Sequence, residues 1–393
     1  MRMHVILTTD VYHPFMCGVT RVVDTFLQEL PRYSIRVSVL APARIGPAFM
    51  FFRRDSVCRI YVRSFKLRFV YPEARAPEPT ASYFAARRLF RRDIYVSDDR
   101  FIIHAHTPYI MMTFMRIYAN MRGLKPPIVL TYHTLVRKFL EKKFGSLSKL
   151  LCGLDCVHLG NILRRARAII APTKYAETAF LRSVVSSLRR LTEKIIRIPN
   201  PLSRSSYDKP SKSVRDVLDG VEEYGYAIWV GRISHEKNIP FLVRIFKNTP
   251  YRLIIVGRGP LLERFRKASP PNVTFLGFVD DNTLRTLLHY ARCFVVASSF
   301  DNMPLAVMEA MAQGVPVVSY YLGGHNEYLK HGKNGFKFRR IGEAQTYIDA
   351  LFRDDDLRDA LGFEALKTAQ MFHPDRVIPK HIELYDRYAE HVS

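Results

Sequence analysis

Two cations in the second half of the chain have the types and spacing needed to hold a phosphorylated ligand. Arg232 and Lys237 lie on the turn that follows a predicted buried strand at 226–230. A guanidinium fork and a compact ammonium supply the charge and the hydrogen-bond donors that suit a diphosphate. Both side chains are also compatible with solvated loop cations, so this turn alone leaves the two interpretations open.

Two carboxylates flank a predicted helix start further along. Asp301 precedes a helix that is predicted to hold Pro304 in its first turn, where the missing N–H of proline costs nothing. Glu309 lies inside that helix among apolar neighbours, where an idle carboxylate would be costly. A helix cap at Asp301 and a surface acid at Glu309 are the alternatives. The helix start is predicted to bind an anion, and its residues are Asn302, Met303, Pro304 and Leu305.

Glycine-containing turns after two other predicted strands extend this candidate site. The turn at 256–260 contains Gly257 and opens onto a helix, and the turn at 276–279 ends at Val279 and could line a base pocket with backbone groups. A glycine after a strand is most often simply a turn. The order of these motifs therefore carries more weight than any one of them.

The elements that position these residues alternate between strand and helix. In the C-terminal half, apolar runs rich in β-branched residues alternate with segments of helical spacing, which predicts parallel strands joined by right-handed crossovers. The N-terminal half repeats the pattern less regularly. We therefore predict an α/β protein with two Rossmann-like, doubly wound parallel-sheet domains that face one another across a cleft. A linker rich in Pro and Ser at 197–208 divides the domains into 1–201 and 202–375, and a C-terminal helix at 376–393 is predicted to pack back on the first.

The motifs, taken in order, resemble those of the retaining glycosyltransferases of family 4, which have the GT-B fold. They are GRxxxxKN at 231–238, VGxGP at 256–260, FLGFV at 275–279 and DNxPLxVMEAMAxGxPVV at 301–318. The resemblance implies a nucleotide-sugar donor whose pyrophosphate is bound by Arg232 and Lys237 and whose ribose is bound by Glu309. It also implies that Asp301 contacts the transferred sugar. The family has Glu where this chain has Asp301, which leaves the identity of the sugar open.

The N-terminal half resembles the same family in three segments. Gly18 lies in a segment similar to the glycine-rich loop after the first strand, where Cys17 replaces the loop's first glycine. His106 and His133 follow predicted strands, and the resemblance implies a catalytic or sugar-positioning role for His106 and a place near the acceptor for His133. A structural role is the alternative for each histidine. The family implies front-face transfer with retention, in which the leaving phosphate helps to remove the acceptor proton. No D-x-D metal motif follows a predicted strand, so no essential metal or other cofactor is expected.

Positive charge is concentrated in the first half of the chain. The formal net charge is +24 at pH 7; residues 1–200 hold 34 Lys and Arg against 13 Asp and Glu, and the remainder holds 26 against 23. This asymmetry predicts an anionic partner for the first half, with a basic surface that only aids solubility as the alternative. A basic amphipathic segment at 135–149 and interleaved aromatic and basic residues at 47–68 suit an anionic membrane surface.

We therefore expect the acceptor to be a membrane lipid or a lipid-linked glycan. The segments around His106 and His133 resemble glycolipid-forming members such as diacylglycerol glucosyltransferases and phosphatidylinositol mannosyltransferases. Five scattered cysteines suit a reducing compartment, and no apolar run approaches the ~20 residues that span a bilayer. A cytoplasmic protein that is peripheral on the inner face of the cell membrane is expected.

Three other functions are compatible with the sequence. A transferase that extends a soluble oligosaccharide or polysaccharide would use the same donor site. A basic nucleic-acid-binding protein would show strongly salt-dependent affinity, but it leaves the ordered cations and carboxylates unexplained, so no nucleic-acid partner is expected. A non-catalytic relative would account for the departures at Cys17 and Asp301. The nucleotide (UDP or GDP), the sugar, the acceptor, the linkage and the oligomeric state stay open.

Overall fold

The computed structural model divides the chain into two compact units, Met1–Pro201 with Val377–Ser393 and Leu202–Arg376. A largely parallel sheet forms the centre of each unit. Within the described residues, no helix is both long and apolar enough to cross a membrane. The residues that the structure describes are 3–43, 49–66, 75–89, 100–107, 126–133, 160, 164–183, 192–298 and 301–390.

Nine strands form the sheet of the first unit within the described part of the chain. They are β1 (Met3–Thr8), β2 (Arg36–Ala43), β3 (Phe49–Arg54), β4 (Val57–Lys66), β5 (Arg75–Pro77), β6 (Arg100–Ala105), β7 (Ile128–Thr131), β8 (Ala168–Ala171) and β9 (Ile195–Arg197). Their order is β3-β4-β2-β1-β6-β7-β8-β9, with β5 beside β4. Among the described strands, β3 and β5 each run antiparallel to β4, and the other neighbouring strands are parallel. Strands β1, β7 and β8 are buried at every residue, which explains why they read as continuous apolar runs.

The helices of the first unit follow the strands that they connect. Helix α1 begins directly after the loop that leaves β1, and it buries an apolar face that includes Val22, Val23, Phe26 and Leu27. This spacing places the four side chains on one side of the helix, against the sheet. The described helices before the linker are α1 (Gly18–Glu29), α2 (Pro79–Leu89) and α3 (Lys174–Ser183).

Six parallel strands form the sheet of the second unit. They are β10 (Tyr226–Val230), β11 (Arg252–Val256), β12 (Val273–Gly277), β13 (Cys293–Val296), β14 (Val317–Tyr320) and β15 (Gly335–Phe338). The order is β12-β11-β10-β13-β14-β15, and each crossover carries a helix or a short turn. The helices are α4 (Ile239–Phe246), α5 (Leu262–Ala268), α6 (Asp281–His289), α7 (Leu305–Ala312), α8 (Ile341–Arg353) and α9 (Asp355–Ala369).

The last helix of the chain, α10 (Pro374–Tyr388), contributes its later residues to the first unit. The Tyr385 hydroxyl lies 2.6 Å from Nδ1 of His104 on β6. At the start of the same strand, Arg100 forms an ion pair with Asp386 at 2.8 Å. These contacts join the end of the chain to the strand that leads to His106.

The strand order reverses once in each sheet, and this decides where a ligand can bind. In the first unit the reversal lies between β1 and β6, and in the second it lies between β10 and β13. Open parallel sheets bind ligands outside the carboxyl ends of the strands at such a reversal, because the two adjacent loops diverge there. The predicted α/β class with two parallel-sheet domains is confirmed.

Candidate functional site

An ion pair spans the strand reversal of the second unit. Lys237 follows β10, Asp301 follows β13, and the Lys237 ammonium donates to the Asp301 carboxylate. Both side chains are about four-fifths buried, with 21% and 19% of their surface exposed. The sequence analysis assigned Lys237 to the pyrophosphate and Asp301 to the sugar of one ligand. The two side chains contact each other directly at the carboxyl edge of the sheet, where such a ligand would bind.

Asp301 is held from three sides. Besides Lys237, its carboxylate accepts a hydrogen bond from the Ser298 hydroxyl, and its carbonyl oxygen accepts one from the Gly324 N–H at 2.7 Å. Burial by itself would raise the pKa of Asp301, but the Lys237 charge and the two side-chain hydrogen bonds outweigh it, so the pKa lies below its ordinary value. Asp301 is consequently an anion at neutral pH, available to accept hydrogen bonds from hydroxyl groups.

Backbone hydrogen bonds align three neighbouring loops at the same edge. The Gly231 N–H donates to Val256 at 3.0 Å, and the Gly257 N–H donates to Gly277 at 2.7 Å. A Cβ built on Gly257 would lie 1.9 Å from the Gly231 carbonyl oxygen, so only glycine permits this approach. The first loop carries the half-buried Arg232, and the third leads to the half-buried Val279.

The start of α7 differs slightly from its prediction. Pro304 has an extended backbone and forms the N-cap, so the helix begins one residue later, at Leu305. The backbone of the first turn still presents the N–H groups that an anion requires. Four predicted site residues at this helix are buried, namely Asn302, Met303, Leu305 and Glu309.

His325 is a buried residue of this site that the sequence did not predict. Its Nε2 lies 2.5 Å from the Ser319 hydroxyl, and burial lowers its pKa to about 4. Among the described residues its Nδ1 has no hydrogen-bond partner. The ring fills the space beside Gly323, where a Cβ would approach it to 2.7 Å. In the sequence this histidine directly follows two glycines, a pattern that by itself predicts only a turn with an unrestricted backbone.

The strand reversal of the first unit carries the predicted N-terminal residues. His106 directly follows β6, and its N–H donates to the Thr8 carbonyl at the end of β1, at 2.9 Å. The Asp10 N–H donates to the Thr107 hydroxyl at 2.8 Å, which ties the same two loops together. Gly18 is the first residue of α1, directly after the loop that leaves β1.

The structure brings His106 and His133 together. Nδ1 of His106 lies 3.0 Å from Nε2 of His133, and the two rings are nearly parallel with centroids 5.2 Å apart. Burial, reinforced by neighbouring histidines, lowers the pKa of His106 well below its ordinary value and that of His133 to about 3. Both rings are therefore neutral at physiological pH.

A second cluster in the loop after β1 was also missed by the sequence analysis. The Tyr12 hydroxyl donates to the Asp24 carboxylate at 2.6 Å, and Nε2 of His13 lies 2.7 Å from the other oxygen of Asp24. Burial and the Asp24 charge raise the pKa of Tyr12, so its proton stays in place. Asp24 lies on α1, and the cluster therefore fixes the loop that precedes Gly18.

The described residues bear on two further predictions, a basic membrane-binding segment and a reaction without a metal. The basic segment at 135–149 lies outside the described residues. Within the described residues, no group of three or more histidine, cysteine or acidic side chains is placed to hold a metal ion. The expectation of a reaction without an essential metal stays a prediction.

Comparison with known proteins gives two profile matches that together cover most of the chain. The profile "Glycosyltransferase Family 4" matches residues 16–204, and "Glycosyl transferases group 1" matches residues 212–368. Sulfoquinovosyl transferase SQD2 of Arabidopsis thaliana is 27% identical over 284 residues, which are 69% of this chain and 53% of that protein. The alpha-monoglucosyldiacylglycerol synthase of Acholeplasma laidlawii is 25% identical over 283 residues, 67% of this chain and 69% of the synthase.

A solved structure shares the fold over nearly the full length. Anabaena HepE in complex with UDP-glucose matches with a TM-score of 0.72 and 18% identity, covering 98% of this chain and 99% of HepE. At that identity the likeness concerns the fold alone. The chain spans about half the length of the sulfoquinovosyl transferase. From the two profiles and the two parallel-sheet domains, the chain belongs to the glycosyltransferases, with a family 4 domain followed by a group 1 domain in the GT-B fold.

Proposed function

We propose that this chain is a retaining hexosyltransferase that moves a sugar from a nucleoside diphosphate to a hydroxyl of a membrane lipid or lipid-linked glycan. The observation that carries the donor half of the proposal is the Lys237–Asp301 ion pair at the strand reversal of the second unit. The pair holds a cation and an anion side by side at the edge where parallel sheets bind ligands, and these charges suit phosphate oxygens and hydroxyl groups.

Each part of the donor has a matching group in the second unit. Arg232, Lys237 and the start of α7 would hold the diphosphate, because charge-assisted hydrogen bonds and helix N-termini both favour phosphate oxygens. Glu309 would accept hydrogen bonds from the ribose hydroxyls, and Asp301 from hydroxyls of the sugar. The turn after β12, with Val279, would contact the base. The complex of HepE with UDP-glucose makes a uridine diphosphate sugar the first donor to try.

Retention follows if the acceptor hydroxyl attacks from the side of the leaving diphosphate. The departing phosphate oxygen then takes the acceptor proton, and the cations of the second unit stabilise the charge that develops on it. The name of the Acholeplasma relative, an alpha-monoglucosyldiacylglycerol synthase, supports an α-linked product. An α-linked product from an α-linked nucleotide sugar is a retained configuration.

A donor panel tests the first half of the proposal. We expect one nucleotide sugar among UDP- and GDP-linked hexoses to raise the Tm by about 5–10 °C at a concentration about 100-fold above its Kd. Glu309→Ala should remove most of that shift, because the ribose loses its acceptor. In a transfer assay with the stabilising donor, the anomeric proton of a gluco- or galacto-configured product should show the small coupling of an α-glycoside. A large coupling would contradict retention, and a flat panel would contradict donor binding.

An exposed patch on the first unit supports a membrane surface as the location of the acceptor. Phe52 is 55% exposed on β3, and Arg53 and Arg54 beside it are exposed at the turn into β4. Exposed aromatic rings next to arginines are typical of surfaces that lie on anionic bilayers. The relative that synthesises monoglucosyldiacylglycerol is, by its name, a glycolipid synthase.

Liposome co-sedimentation tests this second half. The protein should bind vesicles of anionic lipid and dissociate as salt rises, while binding to neutral vesicles stays weak. The double substitution Arg53→Gln, Arg54→Gln should lower the affinity by about 30-fold, since each cation near the surface contributes about 1 kcal/mol. Arg285→Gln with Lys267→Gln, on the second unit, is the charge-matched control. Equal binding by the two double variants, or transfer only to soluble oligosaccharides, would overturn the lipid assignment.

A further inference from the structure

The contact between His106 and His133 determines what His106 can do chemically. The two histidines follow the neighbouring parallel strands β6 and β7, and their ring nitrogens Nδ1 and Nε2 are 3.0 Å apart. A hydrogen bond between two neutral imidazoles requires that one nitrogen donates and the other accepts. The direction of this single bond therefore decides which nitrogen of His106 carries its proton.

The other nitrogen of His106 is the one available to a ligand. Nε2 of His106 is buried and has no hydrogen-bond partner among the described residues. A buried polar atom without a partner is costly, and such atoms in native structures commonly await a ligand or water. The loop after β1 approaches His106 at the strand reversal, where a ligand of the first unit would bind.

The packing around His106 prevents its ring from turning to a different partner. The ring of His104 lies 4.2 Å from that of His106, and His104 is itself fixed by the Tyr385 hydroxyl at 2.6 Å and the Thr131 hydroxyl at 2.7 Å. Phe26 of α1 covers another side, with its ring centroid 5.4 Å from that of His106. Among these described contacts of the His106 ring, only the direction of the hydrogen bond to His133 can therefore vary.

Of the two possible directions, one uses the more stable form of both rings. If His133 donates from Nε2, both imidazoles carry their proton on Nε2, which is the intrinsically favoured tautomer of a histidine side chain. If His106 donates from Nδ1, both rings adopt the less favoured tautomer. The lowered pKa values exclude a doubly protonated ring at neutral pH.

We propose that His133 is a positioning residue whose Nε2–H donates to Nδ1 of His106 and so makes Nε2–H of His106 a fixed hydrogen-bond donor to an oxygen of a ligand bound at the strand reversal of the first unit. The identity of that oxygen rests on the proposed function. Because both nitrogens of His106 are then engaged, His106 stabilises and orients the substrate and does not remove the acceptor proton. His133 acts through His106 and needs no contact with the acceptor.

Nitrogen NMR of the wild-type full-length chain tests the tautomer without any substitution in the pair. With ¹⁵N-labelled histidine, long-range correlations to the ring carbons distinguish a protonated Nε2 from a protonated Nδ1. Comparison with the spectrum of His106→Gln identifies the His106 signals. We expect Nε2 of His106 to be protonated near pH 7. A protonated Nδ1 would overturn the proposal, whether or not the chain transfers sugar.

Two substitutions of His133 test the consequence for the reaction. His133→Phe keeps a ring but removes the donor, so kcat should fall by about 10–100-fold, as expected for one lost hydrogen bond in the transition state. The donor KM should change by less than about threefold, because ground-state binding depends on the second unit. His133→Gln can place an N–H near the position of Nε2 and should recover about tenfold in kcat over His133→Phe.

The outcomes separate this inference from the proposed function. Equal kcat in His133→Phe and wild type would overturn it, and so would a loss confined to the donor KM. His331→Phe, an exposed histidine of the second unit, serves as the matched control. If the wild type transfers no sugar from any donor, the proposed function fails, while the tautomer spectrum still decides the His133–His106 assignment.

Discussion

Lys237→Met should lower kcat/KM for the nucleotide sugar by about 10²–10³-fold, the loss expected when one preorganised donor to a developing anion is removed. The methionine side chain nearly matches lysine in length, so the change removes charge and hydrogen bonds with little change in volume. It also leaves Asp301 largely buried with only neutral donors. Breaking a buried pair costs about 3–5 kcal/mol, and the partial exposure of this pair reduces the expected loss of unfolding free energy to about 1–3 kcal/mol.

A second substitution separates the two effects of Lys237. In Lys237→Met, Asp301→Asn, no uncompensated carboxylate is left, so most of the stability should return. The affinity for the donor should stay low, because the cation is still missing. Lys267→Met, at an exposed lysine of α5, is the control and should bind donor as wild type does. Urea unfolding and calorimetric titration measure the two quantities. Recovery of donor binding in the double variant would contradict the role of Lys237.

The pH dependence of the stability loss gives an independent check. The pKa of Asp301 is lowered in the folded chain, with burial opposed by Lys237 and Ser298. Its charge therefore contributes stability that is present above the unfolded pKa of about 3.9 and is lost as the pH falls through the folded pKa. The difference in unfolding free energy between wild type and Lys237→Met should be largest near neutral pH and should shrink below about pH 4. A difference that is constant with pH would exclude Asp301 as the cause.

Gly257→Ala should strongly destabilise the second unit. The added Cβ would lie 1.9 Å from the carbonyl oxygen of Gly231, and both atoms belong to backbone that other loops hold in place. Gly257 also has φ +134°, which an L side chain rarely adopts. Overpacking and backbone strain each cost about 1–3 kcal/mol, so a loss of about 3–5 kcal/mol is expected.

Gly257→Ala should also weaken donor binding, because Gly231 directly precedes Arg232. Displacement of its carbonyl shifts Arg232, so donor affinity should fall by about tenfold even at temperatures where the variant is folded. Gly332→Ala is the matched control, because Gly332 has φ +73° but no atom within 4 Å of the added Cβ. It should lose only about 1–2 kcal/mol and keep donor binding. Equal losses in the two variants would mean that backbone strain, and not the contact with Gly231, governs this loop.

Much of the candidate site in the second unit could be proposed from the sequence because its signals are local. Arg232, Lys237, Asp301 and Glu309 each stand directly after a strand or within the helix that follows, and strands and turns depend on residues close together in the chain. The predicted helix start at Pro304 was wrong by one residue, because local signals do not fix a helix boundary exactly. A proline fits both the N-cap and the first helical turn, and the sequence does not separate two positions that differ by one residue.

Contacts between loops could not be predicted in the same way. Lys237 and Asp301 are 64 residues apart, and they meet because β13 lies next to β10 in the sheet. His325 was missed because the Gly-Gly turn that holds it has no chemical signature. Strand β3, with its exposed Phe52, was predicted only as part of a stretch of mixed aromatic and basic residues.

The amino-acid sequence by itself determined the α/β class, the two-domain organisation and the residue types that line each strand end, because periodicity and turn chemistry act over a few residues. The tertiary structure alone decided that Lys237 pairs with Asp301, that His133 bonds to His106 and that Tyr385 fixes His104. Strand order sets which loops are neighbours, and it results from the packing of the whole sheet. For that reason the chemistry of His106 depends on a neighbour 27 residues away and is set only when the chain folds.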